Sequence, residues 1–278
     1  TIRMWEQRYD LLHPTRTQTN IRRYSETDLK VLLNAAALNR MGYKISRVAE
    51  MTADEATKIL TTESDNSARE VHQLNVLKIS MLNFNETLFL SVLQANVEAH
   101  SMDYVVENIL GPFMVQIGIL WQTNTICPSH EHFISNLIRQ FLHQQVTLLP
   151  VPSDGNDPYV FFLPENELHE LGLLYLHYIF RKAGHFGIYL GQSVPADDLI
   201  QISSKYSGAH FVGYMTNKDS TDVERAVSQW SGSGIFNENQ KMSIICPVID
   251  EIGGCSDKKI LFHKNSEAFV SQNLTQSV

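Results

Sequence analysis

Cysteine is scarce in this chain. Its 278 residues hold three, Cys127, Cys246 and Cys255, with no CxxC pair and no even-numbered framework. They can build neither a zinc ribbon nor a disulfide-stapled secreted fold, and they read as reduced thiols. No apolar run approaches the ~20 residues that a membrane helix needs. The opening Thr1-Ile2-Arg3-Met4-Trp5-Glu6 is not a signal peptide, so a soluble cytoplasmic protein without a membrane partner is expected. Positive charge is in deficit, with 22 Lys and Arg against 30 Asp and Glu. That excludes a protein coating nucleic acid along its whole surface, but not one basic module on an acidic body. Catalytic signatures are missing too. There is no Gly-rich phosphate loop, no His/Cys zinc spacing and no nucleophile–base pair, so a non-enzyme is expected.

What is present is ample core material, 43% hydrophobic and 19% charged, over a length that suits two or three domains. Thr1–Tyr9 reads as a short helix and 11–24 as two short extended halves. Ser25 then caps a helix with Asp28 at its third position. Leu29, Leu32, Leu33, Ala36, Ala37 and Met41 recur at helical spacing until Gly42 stops them. A short helix over Ile45–Met51 follows, and Thr52 caps another. Ser64–Ser67 reads as a linker. From Ala68 to Leu149 the pattern is helical, with caps at Asn85, Ser101 and Ser129 dividing it into about four helices. Val151–Pro158 is the strongest linker. Beyond it, strand-like runs at Tyr159–Leu163, Phe186–Leu190, His210–Met215, Met242–Ile249 and Lys259–Phe262 alternate with helical patterns at Leu168–Ala183, Ala196–Tyr206 and Thr221–Trp230. Such alternation means a parallel sheet covered on both faces. The fold expected is multidomain, α and α/β. Residues 1–63 form a first module, 64–152 a four-helix bundle, and 157–278 a Rossmann-like or flavodoxin-like parallel-sheet domain.

Across 1–24, Arg3, Arg8, Arg16, Arg22 and Arg23 face only Glu6 and Asp10. A guanidinium donates two parallel hydrogen bonds to phosphate oxygens, and the neighbouring Thr15, Thr17, Thr19 and Asn20 add small donors. Composition alone leaves a solvated basic hairpin as an equal reading. The order of the residues goes further. Thr1-Ile2-Arg3-Met4-Trp5-Glu6-Gln7-Arg8-Tyr9, then Pro14-Thr15-Arg16-Thr17, then Arg22-Arg23-Tyr24-Ser25, resembles the MerR family of winged-helix regulators. The resemblance implies that residues 1–63 are a DNA-binding winged helix-turn-helix, that Arg3, Arg8, Arg16, Arg22, Arg23 and Tyr24 face DNA and that Trp5 packs inside. Asp10 and Asn20 stand at turns where relatives usually have glycine; both tolerate left-handed backbone. The match begins partway through the family motif, without its first strand and helix, so the front of the module is expected to be missing.

Trp121 is followed after nine residues by Glu131 and His132; these could face one pocket, but on spacing alone they read more readily as a core-filling Trp and exposed cap residues. Together with Phe133-Ile134-Ser135-Asn136-Leu137-Ile138-Arg139, the spacing resembles the helical cap of cobalamin-dependent photoreceptor repressors of the CarH/LitR type. There the tryptophan covers the upper face of the corrin and the Glu and His contact an adenosyl upper ligand, roles that would fall to Trp121, Glu131 and His132. The histidine that follows the tryptophan in that family, which captures cobalt after light, is Gln122 here. An amide is a poor cobalt ligand.

Glu167-Leu168-His169-Glu170-Leu171-Gly172 sits just after the first predicted strand, at the edge where α/β domains bind ligands. Imidazole suits a transition metal, a carboxylate two residues earlier can orient it, and a glycine permits close backbone approach. The segment resembles the Asp/Glu-x-His-x-x-Gly signature of domains that hold cobalamin by a histidine. That makes His169 the lower cobalt ligand, with Glu167, Gly172 and Thr216 beside it. His177, His185, His210 and His263 lack such context and read as ordinary. Two landmarks depart from the family: Ser-x-Leu after the third strand reads Thr216-Asn217-Lys218, and paired glycines after the fourth read Pro247-Val248, with Gly253-Gly254 further on. These line the slot for the nucleotide tail, and Pro247-Val248 would crowd it. The resemblance implies a repressor of operator DNA, assembled as a homo-oligomer (dimer or tetramer) around adenosylcobalamin or another cobalamin, and responsive to light. Two other readings stand beside it: a regulator of this architecture with a lost or changed ligand, and a corrinoid carrier of a methyltransferase.

Overall fold

The computed structural model describes residues 2–62, 66–123, 125–152, 157–216, 219–232, 234, 236–248 and 258–274. The chain divides into two compact units, Thr1–Leu137 and Ile138–Val278.

The first unit opens with helix α1 (Ile2–Tyr9), a two-stranded antiparallel wing β1 (Thr15–Arg16) and β2 (Arg22–Arg23), and helices α2 (Glu26–Arg40), α3 (Ile45–Ala49) and α4 (Ala53–Thr62). Both expected caps form reciprocal boxes. Ser25 Oγ accepts from Asp28 N at 3.1 Å while Asp28 Oδ2 accepts from Ser25 N at 2.8 Å. Thr52 and Glu55 repeat the exchange at 3.2 and 2.8 Å. Gly42 stops α2 at φ +93°. Ala35, Ala37, Leu38, Ile45, Val48, Ala56 and Leu60 form the module's core, and Trp5 packs against it, as expected.

Helices α5 (Asn66–Leu82), α6 (Glu86–Ala99), α7 (Met102–Tyr104), α8 (Gly111–Gln122) and α9 (Pro128–Leu148) follow, with one π-helical stretch, Val105–Leu110. Helix α7, the π stretch and α8 run on as one rod, so four helical lengths result. The π stretch has a local cause: Pro112 has no N–H to give to the carbonyl four residues back, and Gly111 N bonds five back to Val106 instead. Asn66 and Ser67, expected in a linker, lie in α5, while Ser64 and Asp65 fall outside the described residues. Asn85 and Ser101 cap α6 and α7 as expected. Ser129 does not cap; the helix starts at Pro128, whose fixed φ suits a first helical position. The rod Met102–Gln122 is long and apolar enough, by length and composition, to cross a membrane, which corrects the expectation that no such run exists. Met102, Val105, Ile109, Phe113 and Ile117 are buried at helical spacing, as in the core helix of a bundle.

The second unit holds a five-stranded parallel sheet in the order β4-β3-β5-β6-β7, made of β3 (Tyr159–Pro164), β4 (Gly187–Val194), β5 (His210–Tyr214), β6 (Lys241–Ile245) and β7 (Ile260–His263). Helices α10 (Leu171–Lys182), α11 (Ala196–Lys205), α12 (Ser220–Gly232) and α13 (Ser266–Leu274) cover it. The strand order is flavodoxin-like, and it reverses between β3 and β5, where such sheets bind ligands. One face carries Val160, Phe162, Phe211, Met242, Ile244 and Trp230; the other Phe161, Leu163, Leu173, Leu176, Val212 and Phe269. Helix α10 starts at Leu171 rather than Leu168, because Glu167 caps the loop before it. Helix α13 was not expected; its cap, Asn265 Oδ1 accepting from Ala268 N at 2.9 Å, sits in a polar segment with weak periodicity. Ile249, placed in the fourth strand of the sheet by the sequence, lies outside the described residues, as do Asn217, Lys218, Gly253 and Gly254.

Candidate functional site

At the basic end, register sets the charges. β1 pairs with β2 so that Thr15 faces Arg23 and Arg16 faces Arg22. Glu6 on α1 reaches across: Arg22 Nε donates to its Oε2 at 2.7 Å, and Arg16 Nη2 lies 3.6 Å from its Oε1. The Glu6 contact raises the Arg22 pKa above the ordinary guanidinium value. Arg16 Nη1 also donates to Asn20 Oδ1 at 2.7 Å. Asp10 and Asn20 take φ +51° and +62°, so both turns form without glycine. Arg3, Arg8, Arg23 and Tyr24 are exposed, with Arg8 over the Tyr9 ring. The six residues fall into two sets. Arg22 ties the wing to α1, Arg16 reaches the same carboxylate while staying exposed, and the other four are turned to solvent.

In the bundle, Trp121 ends α8 and is 44% exposed; Gln122 beside it is exposed. Glu131 and His132 lie in the first turn of α9, with Glu131 Oε2 2.8 Å from His132 Nδ1. Phe84 stacks on His130 and meets Phe133 edge-on, which fixes the start of α9. His130 Nδ1 is also 3.2 Å from Cys127 Sγ. His132 stays open, its side chain 71% exposed.

In the sheet domain, the loop after β3 turns at Asn166, φ +64°, and Glu167 folds back under it. Glu167 Oε1 accepts from Leu168 N at 2.9 Å and His169 N at 3.0 Å, and lies 2.6 Å from His169 Nδ1. Burial pushes the Glu167 carboxyl up, but the His169 and Leu168 hydrogen bonds outweigh it and hold it below the usual range. The carboxylate side chain is 2% exposed and the imidazole 56%. With Nδ1–H committed to a carboxylate, Nε2 carries the lone pair, the tautomer that a metal needs. The loop is tied to β4, since Gln192 Nε2 donates to Leu168 O at 2.7 Å and Ser193 N to Glu167 O at 3.2 Å.

Sequence reasoning missed the next residue. Glu170 is buried; it accepts from Arg139 of α9 and, at 2.9 Å, from Tyr189 OH. Burial pushes the Tyr189 phenol up, with Glu170 adding to the rise. Nothing in the sequence pairs Arg139 with Glu170.

No group of three or more His, Cys, Asp or Glu side chains stands ready for a bare metal ion among the described residues. A single oriented imidazole instead fits a metal that a macrocycle already holds by its ring nitrogens, as haem does. At His169 and Glu167 the residues therefore fit a corrin. Around Gly172 they do not leave the gap expected. A Cβ on Gly172 would lie 2.9 Å from Tyr214 Cζ, so the glycine serves the packing of α10 on β5. Thr216 is exposed just beyond β5, and Pro247 is exposed with Val248 packed inward.

Three comparisons bear on this geometry. Residues 1–55 match the family model of MerR HTH family regulatory proteins, and residues 73–144 match that of the B12 binding domain. The second segment runs over Trp121, Glu131, His132 and Arg139. The chain is 28% identical over 260 residues to the HTH-type transcriptional repressor CarH of Myxococcus xanthus, covering 86% of this chain and 85% of that protein. The monomethylamine corrinoid protein of Methanosarcina barkeri shares the fold, with TM-score 0.55 and 14% identity, covering 72% of this chain and 96% of that one.

Proposed function

We propose that this chain, a MerR-type helix-turn-helix protein carrying a B12-binding domain, is a cobalamin-responsive transcriptional repressor. One observation carries the cofactor side: an exposed imidazole, His169, set in its metal-binding tautomer by a buried carboxylate at the carboxyl edge of a parallel sheet. When bound, adenosylcobalamin would supply a cobalt–carbon bond that light can break.

The chain's own residues do the rest. Glu167 holds the His169 ring and its proton at Nδ1. Trp121, Glu131 and His132 offer an indole, a carboxylate and an imidazole for the upper side of the ligand. Arg3, Arg8, Arg23 and Tyr24 meet operator phosphates, while Arg22 holds the wing through Glu6 and Arg16 reaches the same carboxylate. Residues 1–63, 64–152 and 157–278 act as reader, cap and ligand domain. A cytoplasmic homo-oligomer, dimer or tetramer, is the working form, and it carries out no catalysis. The ligand controls DNA binding by favouring one assembly over the other.

Gln122 favours a specific variant of this reading. Gln122 would offer cobalt an amide where the family has an imidazole, a poorer ligand, so a corrinoid held by His169 should wash out on gel filtration after illumination. The MerR-type segment speaks against a methyl carrier, which needs no DNA reader.

The test uses adenosylcobalamin in the dark. The protein should give a coloured, co-eluting complex and change its retention of promoter fragments, and His169→Ala should weaken loading and alter the cobalt spectrum. Colourless protein, or a spectrum indifferent to His169, would overturn the proposal.

A further inference from the structure

Where α2 packs on α5, the sequence of α2 runs through three alanines, Ala35-Ala36-Ala37. Side chains that end at Cβ leave space between two helices, and a cavity of about 320 Å³ remains there. Leu33 and Ala36 of α2, with Val71 and Leu74 of α5, give it apolar walls. Val71, Leu74, Asn75 and Lys78 recur at helical spacing, so α5 turns a single face to the cavity. Two amides interrupt the walls, Asn75 of α5 and Gln116 of α8, and no acid lines the cavity among the described residues. Asn75 is only 7% exposed, yet among the described residues no hydrogen bond reaches its side chain. A buried amide without a partner is destabilising, and an apolar side chain of similar size would serve packing better. Lys78 has an interaction of its own, so the group that lacks a partner is Asn75. The cavity exceeds the ~150 Å³ that suffices for benzene and reaches the ~300 Å³ at which ordinary small-molecule sites begin.

We infer that this cavity is a binding site for a small uncharged molecule with an apolar, bicyclic-sized body and one amide-like edge. The body follows from the walls and the volume. The edge follows from Asn75, because a primary amide presents both donors and an acceptor. A lactam returns one N–H and one C=O side by side and satisfies both kinds of group. A carboxylate can only accept, which leaves the Asn75 carbonyl oxygen without a donor. The site lies wholly within the first unit and is independent of the corrinoid reading. Its occupant touches the module that carries the wing and the bundle together, so it can favour one arrangement of the two. That makes it a second input to DNA binding, a consequence that rests on the proposed DNA-reading role.

The probes are three bicyclic lactams (oxindole, carbostyril and isocarbostyril), with naphthoate as a charged counterpart of similar size. Each is titrated calorimetrically into the full chain without added corrinoid. At least one lactam should bind with a Kd at or below about 1 mM, and more tightly than naphthoate. Asn75→Leu keeps the volume and removes the amide, so it should weaken that lactam about tenfold or more while leaving the fold intact. Ala36→Leu, which fills the cavity, should weaken it as well. If no lactam binds, the cavity holds water only and the inference is overturned. Tighter binding of naphthoate would overturn the ligand class. An affinity indifferent to Asn75→Leu would put the lactam elsewhere, and that variant decides even if Ala36→Leu fails to fold. Retention of promoter fragments should change when the lactam is added to the wild type but not to Asn75→Leu. Binding with unchanged retention would overturn the coupling and leave the site standing.

Discussion

The Glu167 carboxylate uses one oxygen for three donors, the Leu168 and His169 backbone N–H groups and the His169 ring. Its other oxygen, buried, has no hydrogen-bond partner among the described residues. Both facts point to an anion: three donors converge on one oxygen, and a proton on the other would find no acceptor among the described residues. Glu167→Gln should therefore loosen the ring's orientation and, by burying an NH2 without an acceptor, also cost about 1–3 kcal/mol of stability. Losing a partner that orients a metal-ligating histidine costs about 10–100-fold in metal affinity. The expected outcome is a cobalamin Kd raised about tenfold in Glu167→Gln and further in Glu167→Ala, read by absorbance titration at constant pH. Equal affinity in all three proteins would show that the carboxylate does not position His169.

Among elements, the helices and strands whose edges carry local chemistry were legible. Ser25–Asp28 and Thr52 announced two helix starts, Gly42 one stop, and the alternation after Pro158 a parallel sheet. Contacts made across long separations were not legible. Tyr214 against Gly172, and Arg139 beside Glu170, join residues 42 and 31 apart in sequence, and each residue alone reads as a surface or core choice. Helix α13 escaped because Ser266–Leu274 is too polar to show one apolar face. The Arg139–Glu170 pair is the element-scale feature with the sharpest consequence. It fixes the last half of α9 to the loop that presents His169, with Glu170 8% and Arg139 29% exposed. Removing one partner of a buried pair strands a charge, at a cost of about 3–5 kcal/mol; Arg139's partial exposure puts the expected loss near the lower end, about 3 kcal/mol. Arg139→Gln should be destabilised by that amount in urea unfolding, and Arg139→Gln with Glu170→Gln by clearly less. Additive losses in the double-mutant cycle would show that the two side chains act independently.

For the molecule as a whole, the distribution of histidines sets the response to acid. Burial depresses His72, His177, His185, His210 and His263 below the ordinary imidazole value. His177 falls to about 4, with Arg181 and His143 adding to the effect, and His210 to about 3, with Lys241 and His263 adding. Ser243 Oγ sits between two of these rings, 2.8 Å from His210 Nε2 and 3.1 Å from His263 Nε2. A hydroxyl has one proton to give, so one ring accepts from it and the other donates to it, and protonating the accepting ring breaks the chain. Each of these histidines is held neutral in the folded protein and ionises near pH 6.5 when unfolded. Their contribution is therefore complete above pH 6.5 and is lost as pH falls below it, because the unfolded chain binds the protons first. The slope is up to about 1.4 kcal/mol per pH unit for each histidine still neutral in the fold. Asp28, Glu55 and Glu167 are shifted down from the carboxylate range, so their stabilisation is lost only below about pH 4.5. Between pH 6.5 and 5 the histidines act almost alone. Urea unfolding should give constant stability from pH 8 to 7 and a steep decline from 6.5 to 5. His177→Gln should flatten that decline by about 1.4 kcal/mol per pH unit, whatever it does to stability at pH 7.5. A decline of unchanged steepness in that variant would mean that His177 is already protonated in the folded protein.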